Sequence, residues 1–224
     1  MVELKRNYKI GKRRFGKINW LGSYTLYKKE TLRFLIVFGQ TVLGPVVTAI
    51  LFLLVISLAI GPSKGIVLGV PFIEFLAPGL IAMQVVQQSF SHTSSSILIG
   101  KMMGNIVDIV GSPLSALEIT TSLILAATTR ALTISALSVI IFSFFLEIKI
   151  ISYFYFFIYL FLTSFILGSA GLIAGLWAEK FDHMSTITNF FIVPLSFLSG
   201  TFYSIERLPT FLQKLSFFNP FFHM

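Results

Sequence analysis

Cysteine is absent from the 224 residues of this chain, and charged side chains make up only 12% of them. Without cysteine the chain forms neither disulfides nor thiolate metal sites. Charge is also missing locally, because five long apolar stretches contain a single charged side chain, Arg130. These stretches are Phe34–Ile60, Phe75–Gly100, Ile119–Leu146, Ile150–Ala178 and Met184–Ile205.

Each stretch is long enough to cross a bilayer, because a hydrocarbon core of about 30 Å needs roughly 20 helical residues. Helices are expected because, apart from closed barrels, only they satisfy their own backbone hydrogen bonds in lipid. The composition agrees, with 55% hydrophobic residues and a mean hydropathy of +0.88. The sequence therefore predicts an all-α membrane protein with five transmembrane helices.

Motifs of hydrolytic chemistry are missing as well. Gly100-Lys101 is followed by methionine where a Walker A loop requires serine or threonine. The three histidines have no metal-ligand spacing, and no G-x-S-x-G elbow is present. We therefore expect no catalytic residue, no metal and no cofactor on this chain.

Positive charge is concentrated at the N-terminus. Residues 1–33 hold ten Lys or Arg and two Glu, whereas the remaining residues hold seven basic and seven acidic side chains. The positive-inside rule assigns such a segment to the cytoplasm. Attraction to anionic lipid headgroups explains the same charges, so membrane lipid is an expected partner and nucleic acid is not.

The orientation fixes the predicted side of each connection. With the N-terminus in the cytoplasm, residues 101–118 and 179–183 are cytoplasmic, whereas residues 61–73, 147–149 and 206–224 are exterior. Lys and Arg then number twelve inside and four outside. We expect a multi-pass protein of a bacterial inner membrane.

Two amphipathic helices are predicted outside the spans. Aromatic and hydroxyl side chains recur at helical spacing between Trp20 and Arg33. This pattern is typical of a helix on the inner surface, and an ordinary juxtamembrane anchor fits it equally well. Residues 204–218 predict a short helix at the outer surface, because Pro209 suits the first turn of a helix.

A polar stripe runs along the second span. Gln84, Gln88, Ser91 and Ser95 fall on one face of a helix. The stripe is either the wetted wall of a translocation path or a set of hydrogen bonds between packed helices.

The third and fourth spans carry features of a different kind. Arg130 in the third span is either a buried structural pairing or part of the transport path, because charge at membrane depth is costly without a partner. Gly171 and Gly175 in the fourth span predict a close approach of another helix.

Four segments follow one another in a specific order. They are Thr25-Leu-Tyr-Lys-Lys-Glu-Thr-Leu-Arg-Phe34 with Gln40-Thr41 and Pro45; Phe75-Leu-Ala-Pro-Gly-Leu-Ile-Ala-Met83; Gly104-Asn-Ile-Val-Asp-Ile-Val-Gly-Ser-Pro-Leu-Ser115; and Ala178-Glu-Lys-Phe-Asp182 through Pro194 and Ser199-Gly-Thr-Phe-Tyr-Ser204 to Leu208-Pro209 and Asn219-Pro220. Together they resemble the permease subunit of type-2 ATP-binding-cassette (ABC) transporters of the bacterial exporter class.

The resemblance implies a fold of six transmembrane helices with an N-terminal elbow helix. Five spans are present here, and the chain stops four residues after Asn219-Pro220, where the sixth would follow. We therefore expect an incomplete reading frame or a fragment. Residues 1–33 then form a basic cytoplasmic segment with the elbow helix, and residues 34–224 form the transmembrane domain.

The resemblance also implies partners. It implies a permease homodimer that exports a drug, lipid-linked or amphipathic substrate, with ATP bound and hydrolysed on a separate ATPase subunit. In the family, the elbow helix and cytoplasmic connections dock onto that ATPase. The residues carried over as ATPase-coupling candidates are Lys28, Glu30, Arg33, Asp108, Glu179 and Asp182. The translocation-path candidates are Gln84, Gln88, Ser91 and Arg130.

Two other functions remain open from the sequence. A gradient-driven secondary transporter normally has inverted repeats and membrane-embedded carboxylates, and neither is evident here. A membrane assembly factor without transport activity is the third possibility. An ATPase gene beside this one would favour the exporter over both.

Overall fold

The computed structural model describes residues 18–64, 66–67, 69–146, 152–203 and 209–223. Three predicted features lie outside the described residues: the basic stretch before Ile18, the connection at 147–149 and the first part of the outer helix at 204–208. Over the described ranges the chain is almost entirely helical. The prediction of an all-α protein is confirmed at this level.

The helices follow one another along the chain with few strands between them. The α-helices are α1 (Trp20–Ile36), α2 (Gly44–Lys64), α3 (Phe72–Met102), α4 (Ile106–Val110), α5 (Ala116–Ser143), α6 (Tyr153–Trp177), α7 (Phe181–Ile187), α8 (Val193–Phe197), α9 (Thr210–Phe218) and α10 (Pro220–His223). The π-helical turns are π1 (Gly39–Leu43), which precedes α2, and π2 (Thr188–Ile192), which joins α7 to α8. A hairpin pairs β1 (Ile66–Val67) with β2 (Val70–Pro71).

Two helices begin at side chains that cap their first turn. The Asn19 side-chain oxygen accepts a hydrogen bond from the Gly22 N–H at 2.9 Å, which starts α1. Ser115 and Glu118 form a capping box that starts α5, with the Ser115 N–H donating to the Glu118 carboxylate at 2.6 Å. These caps satisfy backbone donors that a helix start leaves without partners.

Three described helices are both long and apolar enough to cross a bilayer: Gly39–Ala59, Ala116–Ser143 and Tyr153–Trp177. They coincide with the first, third and fourth predicted spans. The second predicted span lies in α3, whose 31 residues extend about 46 Å at the helical rise but include the polar stripe. The fifth lies in the continuous helical stretch Phe181–Phe197, formed by α7, π2 and α8.

The connection between the first two spans is shorter than predicted. The sequence prediction made residues 61–73 a loop, whereas α2 continues to Lys64 and α3 already begins at Phe72. The hairpin fills the space between them, and Gly69 takes a φ of +83°, which a residue with a side chain rarely adopts.

Helix α3 packs against α6 through glycines. A Cβ atom at Gly171 would collide with the Phe90 carbonyl oxygen and the Thr93 hydroxyl, and one at Gly175 would lie 2.8 Å from the Ser94 carbonyl oxygen. The close approach predicted from the two glycines is therefore confirmed, and α3 is the helix that approaches.

The ends of α3 and α6 are joined by a lysine. The Lys101 ammonium group donates to the carbonyl oxygens of Leu176 at 2.8 Å and of Ala178 at 2.5 Å. These are carbonyls at the C-terminus of α6, where the helix dipole favours positive charge. Lys101 therefore fixes the point at which α6 gives way to α7.

Candidate functional site

The predicted polar stripe lies on α3, with its members in different surroundings. Gln84, Gln88 and Ser95 are half-buried, and Ser91 is exposed. Two of them, Ser91 and Ser95, line a groove between α3 and the α7–π2 segment, whereas Gln88 contacts Arg130. The stripe therefore divides into a groove-facing part and a part that bonds to neighbouring helices.

Arg130 is buried where α3, α5 and π1 meet. Its guanidinium Nη2 donates to the Gln88 side-chain oxygen at 2.6 Å and to the Thr41 carbonyl oxygen at 3.1 Å, and 9% of the residue is exposed. Its Nε is buried without a hydrogen-bond partner. Both hydrogen-bond acceptors of the guanidinium are neutral, a side-chain amide on α3 and a backbone carbonyl in π1.

The Thr41 carbonyl lacks its usual α-helical donor because of Pro45, which stands two residues after the end of π1. In an α-helix this oxygen would accept from the N–H four residues later, but that residue is Pro45, which has no N–H. Gly44 instead donates to the Gly39 carbonyl oxygen, one residue further back than in an α-helix. Arg130 thus satisfies a carbonyl that the sequence leaves without its usual donor.

The second π-helical turn lies at the same distance before a proline. π2 ends at Ile192 and Pro194 follows, just as π1 ends at Leu43 and Pro45 follows. Thr188 and Asn189 of π2 face Ser91 and Ser95 of α3 across a cavity of about 240 Å³. Hydroxyl and amide groups contribute much of this groove, and none of the residues lining it is charged.

Glu30 and Arg33 attach α1 to α3. The Glu30 carboxylate is 2% exposed and accepts from the Ser96 hydroxyl at 2.8 Å. Arg33 Nε lies 3.0 Å from the Glu30 carboxylate, and its Nη2 donates to the His92 carbonyl oxygen at 3.0 Å. The structure therefore places two of the ATPase-coupling candidates in contacts within the chain.

A second groove lies between α1 and the turn around α4. It has a volume of about 370 Å³, and Lys29 and Asp108 line it from opposite sides. The start of α1 is fixed to the turn, because the Asn19 N–H donates to the Glu118 carboxylate at 2.5 Å and its side chain donates to the Pro113 carbonyl at 3.3 Å. Lys28, the neighbouring candidate, is exposed and does not line this groove.

The remaining coupling candidates lie on the connection after α6. Glu179 and Asp182 are exposed, and neither lines the groove of Lys29 and Asp108. The Glu179 N–H donates to the His183 ring at 3.4 Å, and Asp182 stands in the first turn of α7. Asp108 therefore lies beside α1, whereas Glu179 and Asp182 lie elsewhere, on the connection that follows the Ala178 carbonyl bound by Lys101.

Three residues of the site were not among the individual site candidates predicted from the sequence. Ser96 and His92 receive the side chains of α1, and Lys29 shares a groove with Asp108. Ser96 and His92 lie in the polar inner end of the second predicted span. Pro45 and Pro194 are the residues in the sequence that could have indicated the two π-helical turns, because each turn ends two residues before its proline.

Comparison with known proteins identifies the family. The family model described as "ABC-2 type transporter" matches residues 23–224. Inner membrane transport permease YadH of Escherichia coli (strain K12) is 31% identical over 205 residues, which cover 92% of this chain and 80% of that protein. YadH of Shigella flexneri matches with the same identity and coverage.

A more distant relative is Nodulation protein J of Sinorhizobium fredii (strain NBRC 101917 / NGR234). It is 23% identical over 220 residues, covering 91% of this chain and 76% of the relative. No solved structure shows a significant match.

Proposed function

The chain belongs to the ABC-2 type transporter family, and on that premise we propose that it is the permease half of an ATP-driven exporter. It is a membrane subunit of an ABC transporter, a transport component rather than an enzyme, and an inner-membrane multi-pass protein. Members of this family normally work with an ATPase subunit. The proposal adds outward transport, a pair of identical permease chains, and ATP hydrolysis on two copies of the partner.

The proposed translocation path follows α3 beside π2. The observation that carries it is the uncharged groove in which Ser91 and Ser95 of α3 face Thr188 and Asn189. Hydroxyl and amide groups there offer hydrogen bonds to the polar part of an amphipathic substrate. The apolar faces of the neighbouring helices suit its hydrophobic part, so we propose an amphipathic or lipid-linked compound or a drug as substrate.

The proposed docking surface for the ATPase is the groove between α1 and α4. Beside Lys29 and Asp108, the turn exposes Met103, Val107 and Val110, each with 69–70% of the residue accessible. Large apolar side chains grouped on a connection outside the spans are typical of a protein interaction site. Glu179 and Asp182 supply a second contact in this proposal.

In the proposal, Glu30 and Arg33 do not contact the ATPase directly. They connect α1 to Ser96 and His92 of α3, so that movement of α1 at the ATPase reaches the helix beside the path. Arg130 of α5 contacts Gln88, which lies one turn from His92 on α3, and it also contacts Thr41 of π1. In the proposal, Arg130 thereby connects π1 to α3. π-helical turns bend helices, so π1 and π2 are the positions at which the path is proposed to open.

A gradient-driven transporter fits the described residues less well. The buried carboxylates among them are Glu30 and Glu118. Glu30 is paired with Arg33 and Ser96, and Glu118 caps α5 and binds Asn19. Both carboxylates therefore serve helix packing, and a proton relay would need carboxylates along the path.

Affinity purification tests the proposal. The tagged chain, extracted from the membranes of its native host in a mild detergent, should retain a subunit with a Walker A loop in equal amount. Size-exclusion chromatography with light scattering should give two permease chains and two ATPase chains. A chain that is recovered from those membranes without any ATPase would contradict the proposal.

A further inference from the structure

Arg130 carries a positive charge that no carboxylate of the described residues neutralises. It stands near the middle of the α5 span, Ala116–Ser143, and both of its described hydrogen bonds run from Nη2 to neutral acceptors. Its Nε is buried without a hydrogen-bond partner, and Nη1 has none among the described residues. Three of the five N–H donors of the guanidinium are therefore unused within the described part of the chain.

The buried carboxylates of the described ranges are engaged elsewhere. Glu30 lies 3.0 Å from Arg33 Nε and accepts from the Ser96 hydroxyl. Glu118 caps the start of α5, and its Cα lies about 18 Å from that of Arg130 along the helix axis. Neither carboxylate therefore forms an ion pair with Arg130.

A second guanidinium adds positive charge nearby. Arg33 Nη2 donates to the His92 carbonyl oxygen at 3.0 Å, and His92 follows Gln88 by about one turn of α3. The guanidiniums of Arg33 and Arg130 together with the Glu30 carboxylate leave at least one excess positive charge. Charged side chains at membrane depth are costly and commonly mark substrate pathways. The excess charge therefore points to an anionic ligand.

The contact of Arg130 with α3 continues the polar stripe of the proposed path. Gln88 binds the guanidinium, and Ser91 and Ser95 follow on the same face of α3, about 4.5 and 10.5 Å further along its axis. Ser91 is exposed, and Gln84 on the other side of Gln88 is half-buried. A single molecule can therefore contact Arg130 with one group and the hydroxyls of the groove with another.

We propose that Arg130 binds an acidic group of the transported amphiphile, a phosphate or a carboxylate, while the uncharged groove beside π2 binds its neutral polar part. This assignment rests on the proposed function, which places the substrate on α3. A guanidinium suits the role because its planar donors match phosphate and carboxylate oxygens. Gln88 is a positioning residue, since its 2.6 Å hydrogen bond holds the guanidinium at the stripe. No residue lining the groove is charged, so the preference for an anion depends on Arg130.

Binding to the purified permease chain in a nonionic detergent tests the proposal without the ATPase. The probes share an oleoyl chain and differ in their polar group: oleoyl lysophosphatidic acid, oleate and uncharged monoolein. Microscale thermophoresis gives the three dissociation constants at one detergent concentration. At least one acid should bind about tenfold more tightly than monoolein, the effect of a hydrogen bond to a charged group, and the tighter acid identifies the group. Equal dissociation constants for all three probes would overturn the proposal.

Variants assign the preference to Arg130. Arg130→Gln should bind the acids and monoolein equally, whereas Arg130→Lys keeps the positive charge and should retain a preference for the acids. Lys28→Gln removes one exposed positive charge of α1 and should leave the preference unchanged. A preference that survives in Arg130→Gln, or one that Lys28→Gln abolishes as well, would contradict the site.

Gln88→Glu repeats the test should Arg130→Gln misfold. It places a carboxylate where the guanidinium now has a neutral amide 2.6 Å away, so Arg130 gains a counter-ion within the chain. The variant should remain as resistant to thermal unfolding as the unmodified chain and should lose the preference for the acids. A folded Gln88→Glu protein that still prefers them would overturn the proposal.

These measurements do not depend on whether the chain is an ATP-driven exporter. Equal binding of the acids and monoolein would refute the anion site even in a permease that is purified with an ATPase. A permease recovered without any ATPase would refute the proposed function, and an acid preference that requires Arg130 would still support the anion site.

Discussion

The guanidinium of Arg130 lies 2.6 Å from the side-chain oxygen of Gln88, so the one charge within the predicted spans is held by a neutral amide. The same group reaches the Thr41 carbonyl oxygen, and α3, α5 and π1 therefore meet at a single side chain. The sequence left a structural pairing and a transport role open for Arg130, and the geometry shows the structural contacts. The contact is structural, and it lies on the helix face proposed to form the path.

The contact between Arg130 and Gln88 should be measurable as a coupling energy. A double-mutant cycle with Arg130→Leu and Gln88→Leu should give about 1.5–3 kcal/mol, the usual contribution of a hydrogen bond to a charged group. The free energy of unfolding in mixed detergent micelles is the quantity to measure. Gln84→Leu, one turn away on the same stripe, is the matched control, and its coupling to Arg130→Leu should stay below about 0.5 kcal/mol.

Two glycines of α6 should differ in their tolerance of a methyl group. Gly171→Ala places a Cβ on the Phe90 carbonyl and the Thr93 hydroxyl, so it should lower the free energy of unfolding by about 1–3 kcal/mol. Gly168→Ala is the control, because its Cβ would lie 3.4 Å from Ile124, close to an ordinary contact. Thermal unfolding in detergent compares the two, and equal losses would show that α3 and α6 do not pack as described.

The attachment of α1 to α3 should depend on Glu30 and not on Lys28. Glu30→Ala leaves Arg33 without its carboxylate and Ser96 without its acceptor, so it should destabilise the protein by about 3–5 kcal/mol. Lys28→Ala changes an exposed charge and should stay within about 0.5 kcal/mol. Limited proteolysis at α1 and chemical unfolding report the difference. A Glu30→Ala protein as stable as Lys28→Ala would place α1 elsewhere.

The distribution of positive charge predicts the membrane orientation, with the N-terminus in the cytoplasm. The chain has no cysteine, so single cysteines at Ile66 and Val107 report the two sides directly; both positions are about 70% exposed. In intact cells or spheroplasts, an impermeant maleimide should label Ile66→Cys from the outside and leave Val107→Cys unlabelled until the membrane is opened. The reverse pattern would invert the proposed topology.

The sequence predicted the helices and some of their packing for clear physical reasons. Long uncharged stretches in lipid have essentially one backbone solution, so the three apolar spans were predictable from length and hydropathy. The pair Gly171 and Gly175 predicted close packing because only small residues permit it. Neither pattern identified α3 as the helix that packs against α6, because that depends on the three-dimensional arrangement of all the spans.

The contacts of charged residues were much harder to predict. Glu30 was named from the family resemblance as an ATPase-coupling candidate, and nothing in the local sequence indicated that it would be buried against Ser96. One of the two acceptors of Arg130 is the Thr41 carbonyl, which lacks its α-helical donor because Pro45 has no N–H. Predicting this contact requires knowing where π1 begins. The Glu30–Ser96 contact joins residues 66 positions apart and the Arg130–Thr41 contact joins residues 89 positions apart, beyond the range of any local pattern.

Asp108 allows the most direct test of an ATPase-driven permease. In one variant a photo-crosslinking amino acid replaces Asp108, which lines the groove with Lys29. In the control variant it replaces Glu74, which lies in the first turn of α3, at the end of that helix far from α4. The two variants are irradiated in membranes that also contain the ATPase subunit. A crosslinked product that contains both chains should form from position 108 and not from position 74. Crosslinking to the ATPase from neither position, or equally from both, would contradict the account.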